Sequence, residues 1–111
     1  MWLLTQIGFF SVVADLDDVE RLLVRARVRG DLDALRERYL PDLEIIEGAG
    51  TDYRFRASVR RAEFEQVARS LAEDIDYPDF KDVVVSHHGY SRAALYSQIW
   101  SLLHTLQGRG S

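Results

Sequence analysis

"RLLVRARVRGD", residues 21–31, is the stretch that decides how this chain folds. Leu22, Val24, Ala26 and Val28 fall on one side of a two-residue period, while Arg25, Arg27 and Arg29 fall on the other with Leu23, as in a strand buried on one face. A second run, "YRFRASVR" at 53–60, has the same form, with Phe55, Ala57 and Val59 expected inward and Arg54, Arg56 and Arg60 outward. Aligning "VRARVR" from Val24 with "FRASVR" from Phe55 also brings Leu32 and Leu35 opposite Phe64 and Val67, after a one-residue insertion. That correspondence describes a doubled hairpin-plus-helix unit.

Outward from the first run, "IGFFSVVA" at 7–14 reads as a strand from its aromatic and β-branched content, and the acidic turn "DLDDVE" joins it to residues 22–29 as a hairpin. Asp31 reads as the N-cap of a helix carrying Leu32, Leu35, Tyr39 and Leu40, which Pro41 stops. "LEIIE" at 43–47 is a short strand, and "GAGTDY" at 48–53 reads as a hairpin turn, because it leads into a strand and cannot aim a phosphate at a helix N-terminus. Phe64, Val67, Leu71 and Ile75 mark a second helix. "DYPDFKD" reads as a loop, "VVV" as a brief strand or part of that loop, and Ser91 as the N-cap of a last helix reaching Leu106.

The expectation is one α+β domain over residues 1–107 with a disordered tail at 108–111. Its fold would be a ferredoxin-like sandwich: a four-stranded antiparallel sheet in permuted ββαββα order, the second and fourth strands central, two helices on one face and a C-terminal helix added. Were "KDVVVS" a strand, a βαββαβ plait starting at residue 22 would be the alternative.

At 111 residues and a net charge of -4 the chain has material for one modest core. It has no cysteine, which excludes disulfides, thiolate metal sites and thiol nucleophiles. The apolar opening "MWLLTQIGFFSVVAD" has no basic residue ahead of it and is interrupted at Thr5, Gln6 and Ser11, so it reads as neither a signal peptide nor a membrane span, and a cytoplasmic protein is expected. Thirteen of the fourteen basic residues are Arg, the cation suited to planar, bidentate anion contacts.

Six outward guanidinium groups, from Arg25, Arg27, Arg29, Arg54, Arg56 and Arg60, repel one another across neighbouring strands, so something aromatic or negative should answer them. Three answers are open. The last helix, with Leu95, Ile99, Leu102 and Leu106 on one stripe and Tyr96, Trp100 and Leu103 on another, could lie over the arginines while Glu44, Glu47 and Asp52 pair with the strand ends. A second copy could do so, making the protein a homo-oligomer, most simply a dimer. Single-stranded nucleic acid could do so with Phe9, Phe10 or Tyr53 stacking bases, although the glycine-and-aromatic run of an RNA-recognition strand is absent. The leading expectation is a non-enzymatic module that self-associates through the arginine face and the Tyr96/Trp100 side of the last helix.

"SHHGYS" at 86–91 offers the most enzyme-like cluster, since His87 or His88 in a pocket could act as a general base; a small His-dependent enzyme is the remote third reading. No HExxH-type spacing supports a metal, and the five carboxylates of "EDIDYPDFKD" lack the glycine bend and terminal Glu of a calcium loop. No cofactor is expected.

With "MWLLTQIGFFSVV", "VRARVRGDLDALRERYL", "GTDYRFR", "DIDYPDFK" and "IWSLLHTLQ" in order, nearly the whole chain resembles a group of small bacterial proteins that open on MW and GFFS, carry an arginine-alternating strand and a GTDY turn, and close on a WS-containing helix. The resemblance implies a bacterial, cytoplasmic protein and brings no activity, cofactor or catalytic residue with it. The chain departs from that group at "VVVSHHGYSRAALY", where a more charged, helix-like run would be expected.

Overall fold

A computed structural model describes residues 1–48 and 52–108; the centre of the "GAGTDY" turn and residues 109–111 lie outside them. The chain divides into two compact units, Met1–Asp76 and Tyr77–Ser111.

Among the described residues the first unit is a five-stranded antiparallel sheet with two helices. The strands are β1 (Trp2–Thr5), β2 (Gly8–Ala14), β3 (Arg21–Ala26), β4 (Ile46–Glu47) and β5 (Phe55–Arg60), in the order β1-β2-β3-β5-β4. Helix α1 (Arg29–Arg38) follows β3 and α2 (Arg61–Glu73) follows β5. The two alternating runs are central neighbours, with Val24 opposite Ala57 and Arg25 opposite Arg56. Phe10, Val12, Val24, Ala26, Phe55, Ala57 and Val59 pack against Leu32 and Leu35 of α1 and Phe64 and Val67 of α2 in one buried cluster. Both helices therefore cover the inward face.

The sheet has five strands, not four, because the opening run is itself a hairpin. Thr5 Oγ1 donates to Gly8 O (2.8 Å) and accepts from the amides of Ile7 (3.3 Å) and Gly8 (3.2 Å), turning the chain after four residues. With β1 outside it, β2 is internal: Phe10 is core, while Phe9 meets Trp2 edge-on at 5.7 Å on the opposite face.

Asp31 does not cap α1. It lies inside the first turn, 3% exposed, and its Oδ2 accepts from the amide of Phe9 at 3.0 Å. Gly8 makes this approach possible, since a Cβ there would sit 2.5 Å from Asp31 Cγ. The cap position falls to Val28, so β3 stops at Ala26, Val28 is 47% exposed instead of inward, and Arg29 belongs to α1. "LEIIE" pairs only at Ile46 and Glu47, and Ile75 lies beyond α2, exposed.

The second unit is a helical hairpin, α3 (Phe80–His88) and α4 (Tyr90–Gly108), broken at Gly89 with φ +90°. "KDVVVS" is helix, neither strand nor loop. Asp79 Oδ1 accepts from the amides of Lys81 (2.8 Å) and Asp82 (3.3 Å), an N-cap strong enough to outweigh the β-branched run it opens. The plait that needed a strand there is excluded. Ser91 is already inside α4, one residue past its start, and Gly108 is still helical. Phe80 stacks on Tyr96 (6.1 Å, 7°), with Tyr77 tilted against Phe80 at 6.1 Å.

Candidate functional site

The outward face of the first unit carries the arginines in a definite register. Arg25 stands opposite Arg56 and Arg21 opposite Arg60, with the Leu23–Ser58 pair between them. Ser11 and Val13 flank Arg25 and Leu23 from β2, and Trp2 lies beyond Ser11. Arg21 belongs to the set although the predicted strand began one residue later; extending the alternation by one position would have found it. Arg27 and Arg54 sit just past the strand ends, and Arg29 is off the face, pairing with Asp33 at 3.7 Å within α1.

The arginines are answered mostly by neutral groups. Tyr53, 5% exposed, lies against both Arg25 and Arg27, whose guanidinium carbons are 4.6 and 4.2 Å from its ring centre. Arg25 Nη2 also donates to Ser11 Oγ at 2.7 Å, while its buried Nε has no partner among the described residues. Arg21 donates from Nε to Ser58 Oγ (2.7 Å) and from Nη2 to Ser58 O (3.3 Å). Of the three acids expected at the strand ends, Glu47 pairs with Arg54 at 3.1 Å, and Asp52 contributes its backbone carbonyl to Arg27 at 3.1 Å. Among the described residues no carboxylate lies within salt-bridge distance of Arg21, Arg25, Arg56 or Arg60. Sequence reasoning looked to the last helix for aromatic partners and missed that Tyr53, bent out of strand geometry before β5, supplies one locally.

Beside this face β5 has an incomplete partner. Its pairing with β4 ends at Ile46 opposite Arg56, and the chain at 39–43 then borders a cleft of about 400 Å³ lined by Arg21, Tyr39, Leu40, Asp42, Ser58 and Glu63, among others. Tyr39 donates its hydroxyl to Asp74 Oδ2 at 2.5 Å, joining the ends of α1 and α2, and Gln6 Nε2 donates to the carbonyl of Asp74 at 3.3 Å. Burial first, and then this bond to a carboxylate, pushes the Tyr39 hydroxyl up to about 12.

In the second unit the predicted residues separate. Tyr96 is 8% exposed, stacked on Phe80 and accepting from Arg92 Nη1 at 3.1 Å, whereas Trp100 is 67% exposed and lies flat on His104 (5.1 Å, 7°). Leu95, Leu102, Leu103 and Leu106 are each half or more exposed. His87 and His88 occupy the last turn of α3 with ring centres 6.4 Å apart; His87 is exposed and its Nδ1 lies 3.0 Å from the Val83 carbonyl. Among the described residues no group of three His, Asp or Glu side chains is placed to hold a metal ion. None of the described helices is long and apolar enough to cross a membrane.

Searches of family models, of curated proteins and of solved structures found no match to this chain.

Proposed function

We propose that this protein is a non-enzymatic interaction module that self-associates through α4. One observation carries the reading: Leu95, Trp100, Leu102, Leu103 and Leu106 all stand at least half exposed on one helix. Exposed patches of several hundred Å² mark interaction sites in soluble proteins. From Ala93 to Gly108 there is no Asp, Glu, Lys or Arg, so two copies of this segment meet without like-charge repulsion although each chain carries -4. A helix lying in a membrane surface would be expected to carry Lys or Arg along its polar side, and Ser97, Gln98, Ser101 and Thr105 stand there instead.

We also propose a ferredoxin-like sandwich in permuted order for the first unit. With β1 set aside, the order β2-β3-β5-β4 and the helices after β3 and β5 support a plait whose last strand has moved to the N-terminus. The resemblance to small cytoplasmic bacterial proteins fits such a module. Nucleic-acid binding has less behind it, because the ring among the arginines, Tyr53, is already occupied by two of them.

Sedimentation velocity from about 1 to 100 µM tests the reading. A concentration-dependent dimer that Leu102→Lys/Leu103→Lys dissociates, with unchanged circular dichroism, supports it. A monomer throughout that range overturns it.

A further inference from the structure

We infer that the unpaired half of β5 is a docking edge for an extended peptide, which adds a strand there through alternating acidic and basic side chains. The backbone supplies the first part of the argument. The amide of Gly48 donates to Arg54 O at 2.9 Å, so the polar groups of Arg54 point toward β4, and by alternation so do those of Arg56, Ser58 and Arg60. The opposite edge is complete: β3 pairs with β5 along its whole length, and the amide of Arg61 donates to Glu20 O at 2.7 Å beyond it. On the β4 side the ladder stops at Arg56. Ser58 therefore presents its amide and carbonyl toward the cleft and Arg60 its amide, the Arg60 carbonyl being taken up in the first turn of α2; among the described residues one guanidinium nitrogen of Arg21 also reaches Ser58 O.

The side chains specify the ligand. A residue paired with Ser58 or Arg60 points to the outward face, where, among the described residues, Arg21 and Arg60 have no carboxylate within 4 Å. A residue paired with Val59 points inward, over Leu40 and Leu43, toward a wall carrying Asp42 and Glu63, neither of which has a salt-bridge partner among the described residues. Acids at the two outward positions and an Arg or Lys between them satisfy both walls, the long basic side chain laying its methylenes on the leucines. The pattern is acid–base–acid in extended conformation.

Fluorescence anisotropy with fluorescein-labelled, otherwise capped peptides tests this on the full chain. Ser-Glu-Arg-Glu-Ser is expected to bind, and Ser-Lys-Glu-Lys-Ser is not, although non-specific attraction to a protein of net charge -4 would favour the latter. N-methylation of the second Glu, whose amide faces Ser58 O in the antiparallel register that continues β4, should weaken binding about tenfold, and N-methylation of the first Glu or the central Arg should leave it within about twofold. A folded Arg60→Glu variant should lose the first peptide. Equal effects of all three N-methylations, no binding at millimolar peptide, or binding of a single-stranded RNA 12-mer without the peptide would each overturn the proposal.

Discussion

The outward face of the sheet and the second half of α4 are both unusual surfaces, and they are unusual in opposite ways. The sheet face concentrates charge, and its own neighbours answer it: Tyr53 lies against two guanidinium groups, Ser11 and Ser58 accept from two, and Glu47 takes Arg54. α4 has no charge at all from Ala93 onward, and Leu95, Trp100, Leu102, Leu103 and Leu106 stand half or more exposed. A polar surface can be satisfied locally, by one ring or hydroxyl at the right register. An apolar surface has no such local remedy, because only excluding water over its area removes the cost.

That contrast orders the expected effects. The largest should come from Tyr53→Ala, which removes a buried ring and uncovers Arg25 and Arg27; a loss of about 3 kcal/mol in urea unfolding is expected, and a loss under about 1 would mean the arginines are held by something other than the ring. Leu102→Lys/Leu103→Lys should do the reverse, weakening association at least tenfold while leaving monomer stability within about 0.5 kcal/mol, as for exposed positions. A large drop in its unfolding midpoint would erase the distinction between the two surfaces.

Tyr39→Phe probes local satisfaction in the same unit. Removing the donor to Asp74 should cost about 1 kcal/mol at neutral pH. Because the folded-state value is raised to about 12 from 10, the wild type keeps its full contribution below pH 10 and loses it as pH rises toward 12. The gap between variant and wild type should therefore close across that window, as read by urea unfolding at a series of pH values; a constant gap would count against the bond. Smallest of all, Arg56→Glu places opposite charges directly across from each other at Arg25 and should stabilise by about 0.5 kcal/mol at low salt, fading at high salt. No gain would mean that Tyr53 and Ser11 already neutralise Arg25.

Much of this was legible in the residues. The period-two runs gave the two central strands and, over Arg21–Ala26 and Phe55–Arg60, the sides their side chains face, because a strand buried on one face must alternate. Leu32, Leu35, Phe64 and Val67 were found as helix anchors for the analogous reason, the recurrence of apolar residues at helical spacing. Less was legible where two local preferences compete. Val83, Val84 and Val85 favour a strand by type, yet Asp79 two residues before Lys81 caps a helix, and composition alone does not rank one above the other.

Sequence by itself determined the alternation, the pairing of two arginine-bearing strands and the uncharged, apolar character of the last helix, all consequences of residue order within a single element. Tertiary structure decided which groups meet: that Asp31 leaves the cap to reach the Phe9 amide beneath Gly8, that Tyr53 turns onto Arg25 and Arg27, and that β4 stops at two residues and leaves half of β5 unpaired. The first two depend on contacts between residues more than twenty positions apart and the third on the pairing of two separate strands, and periodicity within one element carries no information about what another element will place against it.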